Sequence, residues 1–370
     1  VTPDFMPEAL ALAEQALTLS NPNPRVGCVL SDAQGRVLGR GFTQQAGGPH
    51  AEVMALRDAQ AQGHSVVGAT AWVTLEPCAH QGRTGPCCDA LIAAGVARVV
   101  AACEDPNPKV AGQGLARLAA AGVAVECGPG GAASRALNIG FFSRMLRGQP
   151  WVRMKIAASL DGRTALDDGR SQWITDTPAR TDGHAWRARA CAVLTGIGTV
   201  LQDDPQLDVR LVPTTRQPHL VLVDSRLQLP LTARLFGPER QLLVYTASED
   251  AAKADALRAR GATVVRLPGS TAQTAAKVDL AALLRDLAAR EVNEVHVEAG
   301  TQLNGSLLRE GLVDELLVYL APKLIGQGMG MARLGPLGDL AQAQALEWGA
   351  VERIGKDLRI LARVPGRDRF

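Results

Sequence analysis

Apolar residues recur along the chain in two periods, one helical and one alternating. Over residues 4–19, Leu10, Ala13 and Leu17 fall at helical spacing and predict an amphipathic helix. The Asn-Pro-Asn-Pro run at 21–24 ends it. Residues 26–30 and 36–42 predict two strands around a Ser-Asp-Ala-Gln-Gly turn, a hairpin signal. Helical spacing returns over 50–62 and stops near Gly63. A β-rich run at 69–75 leads into a loop at 77–86 with two glycines and two prolines. A short helix is predicted at 87–94, a strand at 96–102, a helix at 112–121, a strand at 123–127 and a single helix at 134–147. Strands alternating with helices imply an α/β layer structure, with the first two strands as an antiparallel edge.

Gly-Pro-Gly-Gly at 128–131 and Gly-Gln-Pro at 148–150 loosen the pattern, so the predicted domains are 1–147 and 148–370. Beyond the boundary, strands are expected near 151–158, 192–195, 219–223, 242–246, 263–267, 293–298, 315–320 and 357–363. Helices are expected near 177–189, 251–260 and 279–290. That suits a second α/β domain with its own sheet. No fixed-period repeat is visible. No apolar run reaches the ~18 residues of a membrane-spanning helix. The opening Val-Thr-Pro-Asp-Phe-Met-Pro-Glu is acidic and broken by proline, unlike a secretory signal, so a cytoplasmic protein without a membrane partner is expected.

With 46% hydrophobic and 21% charged residues, the chain is composed like a globular protein rather than a disordered one. Residues 1–147 carry 11 basic and 11 acidic side chains, and the remainder 28 and 26. Neither half has the positive track that gathers a nucleic acid strand. Cysteine is more informative. Six of the seven (Cys28, Cys78, Cys87, Cys88, Cys103 and Cys127) lie in the first 127 residues, and only Cys191 lies beyond. In a reducing compartment such a cluster points to metal or redox chemistry rather than disulfides.

Three of the candidates fall at element boundaries. His50 opens a predicted helix, Cys78 follows a predicted strand, and Cys87 opens the next helix. Helix N-termini favour thiolate sulfur. One histidine and two cysteines give zinc three protein ligands and leave the fourth tetrahedral position to water, the mark of a catalytic site. Zinc lowers the pKa of that water to about 7. Glu52, two residues past His50, fits the carboxyl group that carries a proton from water to a ring nitrogen and then to a leaving amine. H-x-E followed by P-C…C is the zinc-deaminase pattern, although here eight residues rather than two separate the cysteines. The enlarged loop adds His80 and Arg83 as candidate substrate-reading groups. A one-residue shift from Cys87 to Cys88 stays open at this point. The other four cysteines are expected to be small core residues. His64, His184, His219 and His296 are expected to be surface or satisfied core histidines.

The second half carries weaker signals. It has no G-x-G-x-x-G after its first strand, only Gly196-Ile-Gly198 opening a predicted helix and a flexible Gly326-Gln-Gly328-Met-Gly330 loop. Lys155 and Glu298 are charges on predicted strands, readable either as an internal ion pair or as catalytic groups.

Asn-Pro-Asn-Pro-Arg-Val-Gly-Cys-Val (21–29), His-Ala-Glu (50–52) and Leu-Glu-Pro-Cys-Ala-His-Gln-Gly-Arg-Thr-Gly-Pro-Cys (75–87) resemble the bacterial bifunctional deaminase/reductase family of riboflavin biosynthesis. In the second half, Lys-Ile-Ala-Ala-Ser-Leu-Asp-Gly-Arg (155–163), Ser-Gln-Trp-Ile-Thr (171–175), Thr-Val-Leu-Gln-Asp-Asp-Pro (199–205) and Glu-Ala-Gly (298–300) resemble its reductase part. Gly85 stands where that family often has proline.

The resemblance implies a cytidine-deaminase-like zinc domain followed by a dihydrofolate-reductase-like domain using NADPH. The first would hydrolyse an amino group from a diaminopyrimidinone bearing a phosphoribosylamino arm, and the second would reduce the ribosyl group to ribityl. It implies His50, Cys78 and Cys87 as zinc ligands, Glu52 as proton shuttle and Asn23 on the pyrimidine. It implies an NADPH site of Ala157, Trp173, Thr199, Asp203, Gly300, Thr301, Gln302, Leu303, Asn304, Gly305 and Ser306. It places Ser171, Arg187, Leu207, Arg210 and Glu298 on the substrate, with Lys155 or Asp203 helping to supply a proton. A small phosphorylated substrate and a homodimer or larger assembly through the second domain are the implied partners. A deaminase acting on tRNA or DNA, a non-catalytic zinc module and a chain with one inactive half are the competing readings.

Overall fold

The computed structural model describes residues 4–80 and 85–370. The chain forms two compact units, Val1–Gly148 and Gln149–Phe370.

The first unit runs α1 (Met6–Glu14), β1 (Gly27–Ser31), β2 (Val37–Phe42), α2 (Ala51–Ala61), β3 (Thr70–Val73), α3 (Cys87–Ala93), β4 (Arg98–Ala101), α4 (Gln113–Ala120), β5 (Ala124–Cys127), α5 (Gly131–Leu137) and α6 (Ile139–Arg147). Its five strands are ordered β2-β1-β3-β4-β5. The first two pairings are antiparallel and the last two parallel. Helix α2 lies directly on the sheet because β2 offers glycines there. A Cβ on Gly39 would sit 2.3 Å from the Ala55 carbonyl, and one on Gly41 would sit 2.3 Å from that of Ala51. The first turn of α2 is thereby pinned. On the opposite face, Met6 and Ala9 of α1 pack with Val29, Trp72 and Val100.

The helix expected over 134–147 is two helices broken at Asn138. The Asn138 side chain accepts the Arg25 N–H at 2.7 Å and donates to the Arg25 carbonyl at 2.9 Å. This pairing takes the side chain into the interior and draws the backbone out of helical geometry. It anchors the 21–29 segment, and no local propensity announces it. Cys127, expected in the core, is exposed, because β5 is the edge strand.

The second unit contains β6 (Trp151–Ser159), β7 (Arg163–Ala165), α7 (Thr177–Arg189), β8 (Ala192–Gly196), α8 (Ile197–Asp203), β9 (His219–Val223), β10 (Leu242–Thr246), α9 (Ala251–Ala259), β11 (Ala262–Arg266), α10 (Leu280–Ala289), β12 (Glu294–Val297), α11 (Thr301–Arg309), β13 (Glu315–Ala321), β14 (Met329–Gly330), β15 (Glu347–Ile354) and β16 (Asp357–Arg363). Nine strands form one sheet in the order β11-β10-β9-β8-β12-β6-β13-β16-β15. Pairing is parallel from β11 to β13, and β16 and β15 add an antiparallel margin.

Leu194, Val221 and Val295 face one core with α10 and α11, while Val193, Leu220 and Leu222 face another with α9. Both faces of the central strands are therefore apolar, as a parallel sheet covered on two sides requires. Across the strand starts, buried Arg153 bonds Glu294 at 3.0 Å and Glu315 at 2.6 Å. Among the described residues, no helix is long and apolar enough to cross a membrane.

Candidate active sites

In the first unit, His50 is the N-cap of α2 and Cys87 the first residue of α3. Cys78 ends the segment leaving β3. The His50 Nδ1 lies 3.6 Å from Cys78 Sγ and 3.3 Å from Cys87 Sγ, and the three donor atoms all lie within 4.8 Å of one another. The Cys87 N–H donates to the Cys78 sulfur at 3.3 Å, so the start of α3 faces that sulfur. Hydrogen bonds from Cys87 and His50 hold the Cys78 thiol well below the usual range, against the opposing effect of burial. The Cys87 thiol is pushed the other way, by its bond to Cys78 and by burial.

The donor set fits zinc. An imidazole nitrogen and two sulfurs converge, the three protein donors that a catalytic zinc would take. The register is also explicit. Cys88, one residue on, points into the apolar core with Leu91 and Val99. A helix turns about 100° per residue, so only one of two adjacent cysteines can face the cluster.

Glu52 lies in the first turn of α2 and is 3% exposed. Burial, then the nearby Cys78, pushes its carboxyl group up to about 7. Cys28 is buried as well, and burial, then the nearby Glu52, pushes its thiol up.

Glu76, two residues before Cys78, was not singled out by the sequence analysis. It is buried, and its carboxylate accepts four backbone N–H bonds: Asp105 (3.1 Å), Gly112 (2.9 Å), Gly114 (2.8 Å) and Leu115 (3.2 Å). It thus satisfies the open first turn of α4. Gly114 permits the approach, since a Cβ there would lie 1.9 Å from the Pro77 carbonyl. Pro77 and Cys78 are fixed by this clamp. The only sequence signal was a carboxylate between apolar Leu75 and Pro77. Asp105 is buried beside Glu76, and burial pushes its carboxyl group up to about 7. Asn23 is half-buried, with its N–H on the Ser20 carbonyl at 2.8 Å. His80 is exposed, and Arg83 lies outside the described residues.

In the second unit, the register Val297↔Met154 between β12 and β6 carries Glu298 alongside Lys155. The Lys155 Nζ is 3.8 Å from Glu298 Oε2. Arg187 of α7 grips the same carboxylate with both ends of its fork, at 2.7 and 3.0 Å. Its remaining nitrogen donates to the Asp208 carbonyl. Arg187 therefore spends its donors inside the protein, and exposed Arg210 is the arginine left facing outward. Although burial opposes it, the cations Arg187 and Lys155 hold the Glu298 carboxyl well below the usual range.

His184 also belongs here. It is buried, and its Nδ1 accepts the Arg210 N–H at 3.2 Å, so Nε2 carries the ring proton. Burial, with Arg187 and Arg210 nearby, pushes it down to about 4. Buried His296 places Nε2 3.2 Å from Glu298 Oε1 without hydrogen-bond alignment. Only its neighbour two residues on hinted at this position.

The loop after α8 is clamped from behind. Arg240 donates to the Leu207 carbonyl at 2.6 Å and also to that of Gln206, and the Gln217 amide pairs with both backbone groups of Val209. Leu207 turns its side chain into the core with a left-handed φ of 52°, so what it offers a ligand is backbone.

Gly300 caps α11, and a Cβ there would lie 3.9 Å from Thr199 Oγ1. The start of α11, with Thr301, Gln302 and Leu303, thus meets Thr199, and a helix N-terminus presents free N–H groups to a phosphate. This suits the diphosphate of a dinucleotide. Asn304 and Gly305 instead pack toward 331–333: the Asn304 amide donates to the Met331 carbonyl at 3.0 Å, and a Cβ on Gly305 would meet the Arg333 carbonyl at 2.1 Å. Ser306 accepts a bond from Arg309 at 3.1 Å. Trp173 is 61% exposed with the Arg180 guanidinium 4.5 Å over its ring. Ser171 and Ala157 are half-buried, and Asp203 is exposed at the end of α8.

Comparison with known proteins matches both halves. Residues 2–103 fit the cytidine and deoxycytidylate deaminase zinc-binding region, and residues 150–360 fit the RibD C-terminal domain. The chain is 44% identical over 367 residues to the riboflavin biosynthesis protein RibD of Escherichia coli, covering 96% of this chain and 97% of that one. It is 38% identical over 357 residues to RibD of Aquifex aeolicus, with the same coverage. Among solved structures, Acinetobacter baumannii RibD superposes with a TM-score of 0.86 at 40% identity, covering 97% of both chains. The diaminohydroxyphosphoribosylaminopyrimidine deaminase/5-amino-6-(5-phosphoribosylamino)uracil reductase of Thermotoga maritima gives 0.85 at 33% identity, again covering 97% of both.

Proposed function

The chain belongs to the RibD family of bifunctional riboflavin-biosynthesis enzymes, a zinc deaminase joined to an NADPH-dependent reductase, and from that premise we propose which residues perform each reaction. The observation that carries the first assignment is the convergence of His50, Cys78 and Cys87 beside buried Glu52.

His50, Cys78 and Cys87 would hold zinc, which would supply the acidity that readies a water for the amino-bearing carbon of the pyrimidine. Glu52 carries one proton from the attacking water to the ring nitrogen, then the remaining proton of that oxygen to the departing amine. Water and the amine become a ring carbonyl and ammonia, and Glu52 ends in its starting state. The Glu76 clamp holds Cys78, and the Asn138–Arg25 pairing holds the segment that presents Asn23 to the pyrimidine. His80 and Arg83 lie on the loop joining the two cysteines and are assigned to the substrate.

In the second unit, Gly300, Thr301, Gln302 and Leu303, with Thr199, would hold the phosphates of NADPH, with Ala157, Trp173 and Asp203 completing its site, and the cofactor would supply a hydride. Arg187 fixes Glu298, and Glu298 fixes the Lys155 ammonium, which donates the proton that accompanies the hydride into the opened sugar. Arg210, Ser171 and the Leu207 backbone hold the substrate and its phosphate. The near-zero charge suits such a small phosphorylated substrate. We place the enzyme in the cytosol, where seven unpaired cysteines stay reduced, and read it as a homodimer through the second unit.

A coupled assay tests the assignment. The diaminopyrimidinone phosphate should release ammonia without NADPH, and NADPH should then be oxidised on addition. Glu52→Gln should lower ammonia release ~10²–10⁴-fold with zinc still bound. Undiminished ammonia release by that variant would remove Glu52 from the mechanism.

A further inference from the structure

The 171–177 segment, which leads into α7 and carries Trp173, is held from two sides. Lys323, just past the end of β13, reaches it from 150 residues away along the chain: its Nζ donates to the Trp173 carbonyl at 3.1 Å and to the Ile174 carbonyl at 2.8 Å. Arg180 of α7 holds the other side. It donates to the Thr175 carbonyl at 2.7 Å and to Thr177 Oγ1 at 2.8 Å, and its guanidinium lies over the Trp173 ring. The base of Lys323 is itself braced. Its carbonyl accepts the Leu160 N–H at 2.8 Å, and the Asp161 carboxylate accepts the N–H groups of Ile325 at 3.1 Å and Gly326 at 2.6 Å. The ammonium therefore runs from a fixed strand end to the two carbonyls that follow the Trp173 side chain. Trp173 needs such a hold, because an indole 61% exposed has no core around it to set its angle. Arg180 covers one face of the ring and leaves the other to a second flat ring.

We propose that Lys323 is a positioning residue for NADPH: by gripping the Trp173 and Ile174 carbonyls it holds the Trp173 indole where its free face can stack on a flat ring of the cofactor. The proposal rests on the assignment of Trp173 to the NADPH site and adds the residue that presents it. Two arguments separate this from a chance surface contact. Fixing a lysine side chain costs rotamer entropy, and an exposed ammonium left to itself points into water. Here a braced backbone delivers it to two acceptors at once, both on the segment that carries Trp173. Lys323 is also exposed, and exposed polar contacts add little to folding stability. Its removal should therefore show in cofactor affinity and leave the stability of the second unit almost unchanged.

Titration calorimetry of the full chain with NADPH, in the absence of the pyrimidine, reads affinity without turnover. Trp173→Leu should raise the dissociation constant ~10-fold by removing the ring. Lys323→Met keeps the stem and removes the donors, and should raise it ~5–10-fold, a charge-assisted loss trimmed by solvent. Lys323→Gln serves in its place if the methionine variant fails to fold. Lys323→Arg can span both carbonyls with its fork and should stay within ~2-fold of the wild type. In steady state the methionine variant should raise KM for NADPH by the same factor and change kcat less than ~2-fold, since Lys323 is assigned no contact with a reacting atom. Unchanged affinity in Lys323→Met beside a loss in Trp173→Leu overturns the role of Lys323 and leaves the Trp173 assignment standing. Unchanged affinity in both overturns that assignment and this proposal together. Equal losses in the methionine and arginine variants, with a lowered unfolding midpoint of the second unit, reduce Lys323 to structural support and also overturn the proposal.

Discussion

Glu76 offers the sharpest test of how the first site is held. Its Oε2 receives the N–H groups of Asp105 and Gly112, and its Oε1 those of Gly114 and Leu115. Glu76→Gln keeps the shape but leaves one acceptor oxygen for two pairs of donors. The new amide can keep the Gly114 and Leu115 pair only by turning its own N–H groups toward Asp105 and Gly112. Gly112 is half-exposed and can turn to water, whereas Asp105 is buried. One buried donor left unsatisfied costs ~1–3 kcal/mol, and the charge-assisted bonds that remain weaken to neutral ones. The expected loss is therefore ~3 kcal/mol. With a urea m-value of ~2 kcal/mol/M, the unfolding midpoint of the first unit should fall by ~1.5 M. Amide hydrogen exchange at Gly114 and Leu115 against urea reads that unit separately from the second. Ammonia release should fall with it, because Pro77 and Cys78 rest on the clamp. A midpoint shift below ~0.5 M, or an equal shift in both units, would show that the four bonds do not hold the site.

Other outcomes follow from the same geometry. Cys87→Ser should abolish zinc binding and ammonia release while NADPH oxidation on deaminated substrate continues. Cys88→Ser should keep one zinc per chain and lose only ~1–3 kcal/mol of stability from burying a hydroxyl, and metal analysis separates the two. Arg187→Lys replaces a two-pronged grip on Glu298 by a point charge, so kcat for NADPH oxidation should fall ~10–100-fold with deamination unchanged. His184 is held near 4 when folded, below its ordinary 6.5, so its contribution is present above pH 6.5 and is lost as pH falls from 6.5 through 4. Unfolding of the second unit should show a loss of ~2–3 kcal/mol across that window. His184→Asn should flatten it, and an unchanged slope in that variant would assign the pH dependence to other groups.

The sequence was legible wherever function is written into contiguous residues. His50-Ala51-Glu52 and Pro77-Cys78 hold the proposed ligands and proton carrier in adjacent positions, and element order followed from hydrophobic period. Short additions were harder to read. The strands β7, β14 and β15 and the helix α11 were not anticipated. β15 in particular shows no inward alternation, because every one of its positions except Ile354 is exposed.

Sequence alone therefore determined the two α/β units and the histidine, cysteine and carboxyl groups proposed for the first site, since each depends on residue identity at fixed local spacing. It left open which of Cys87 and Cys88 faces the cluster and whether Lys155 and Glu298 form a pair, and it set Arg187 on the substrate, whereas its fork grips Glu298. Those answers depend on helix phase and on strand register between segments more than 100 residues apart. Arg25 and Asn138 show the same limit, since one side chain can end a helix by pairing with backbone 113 residues away. Local propensity fixes what a segment can form. Only packing decides which of its faces meets which partner, because the free energy of burying and pairing a group belongs to both partners at once.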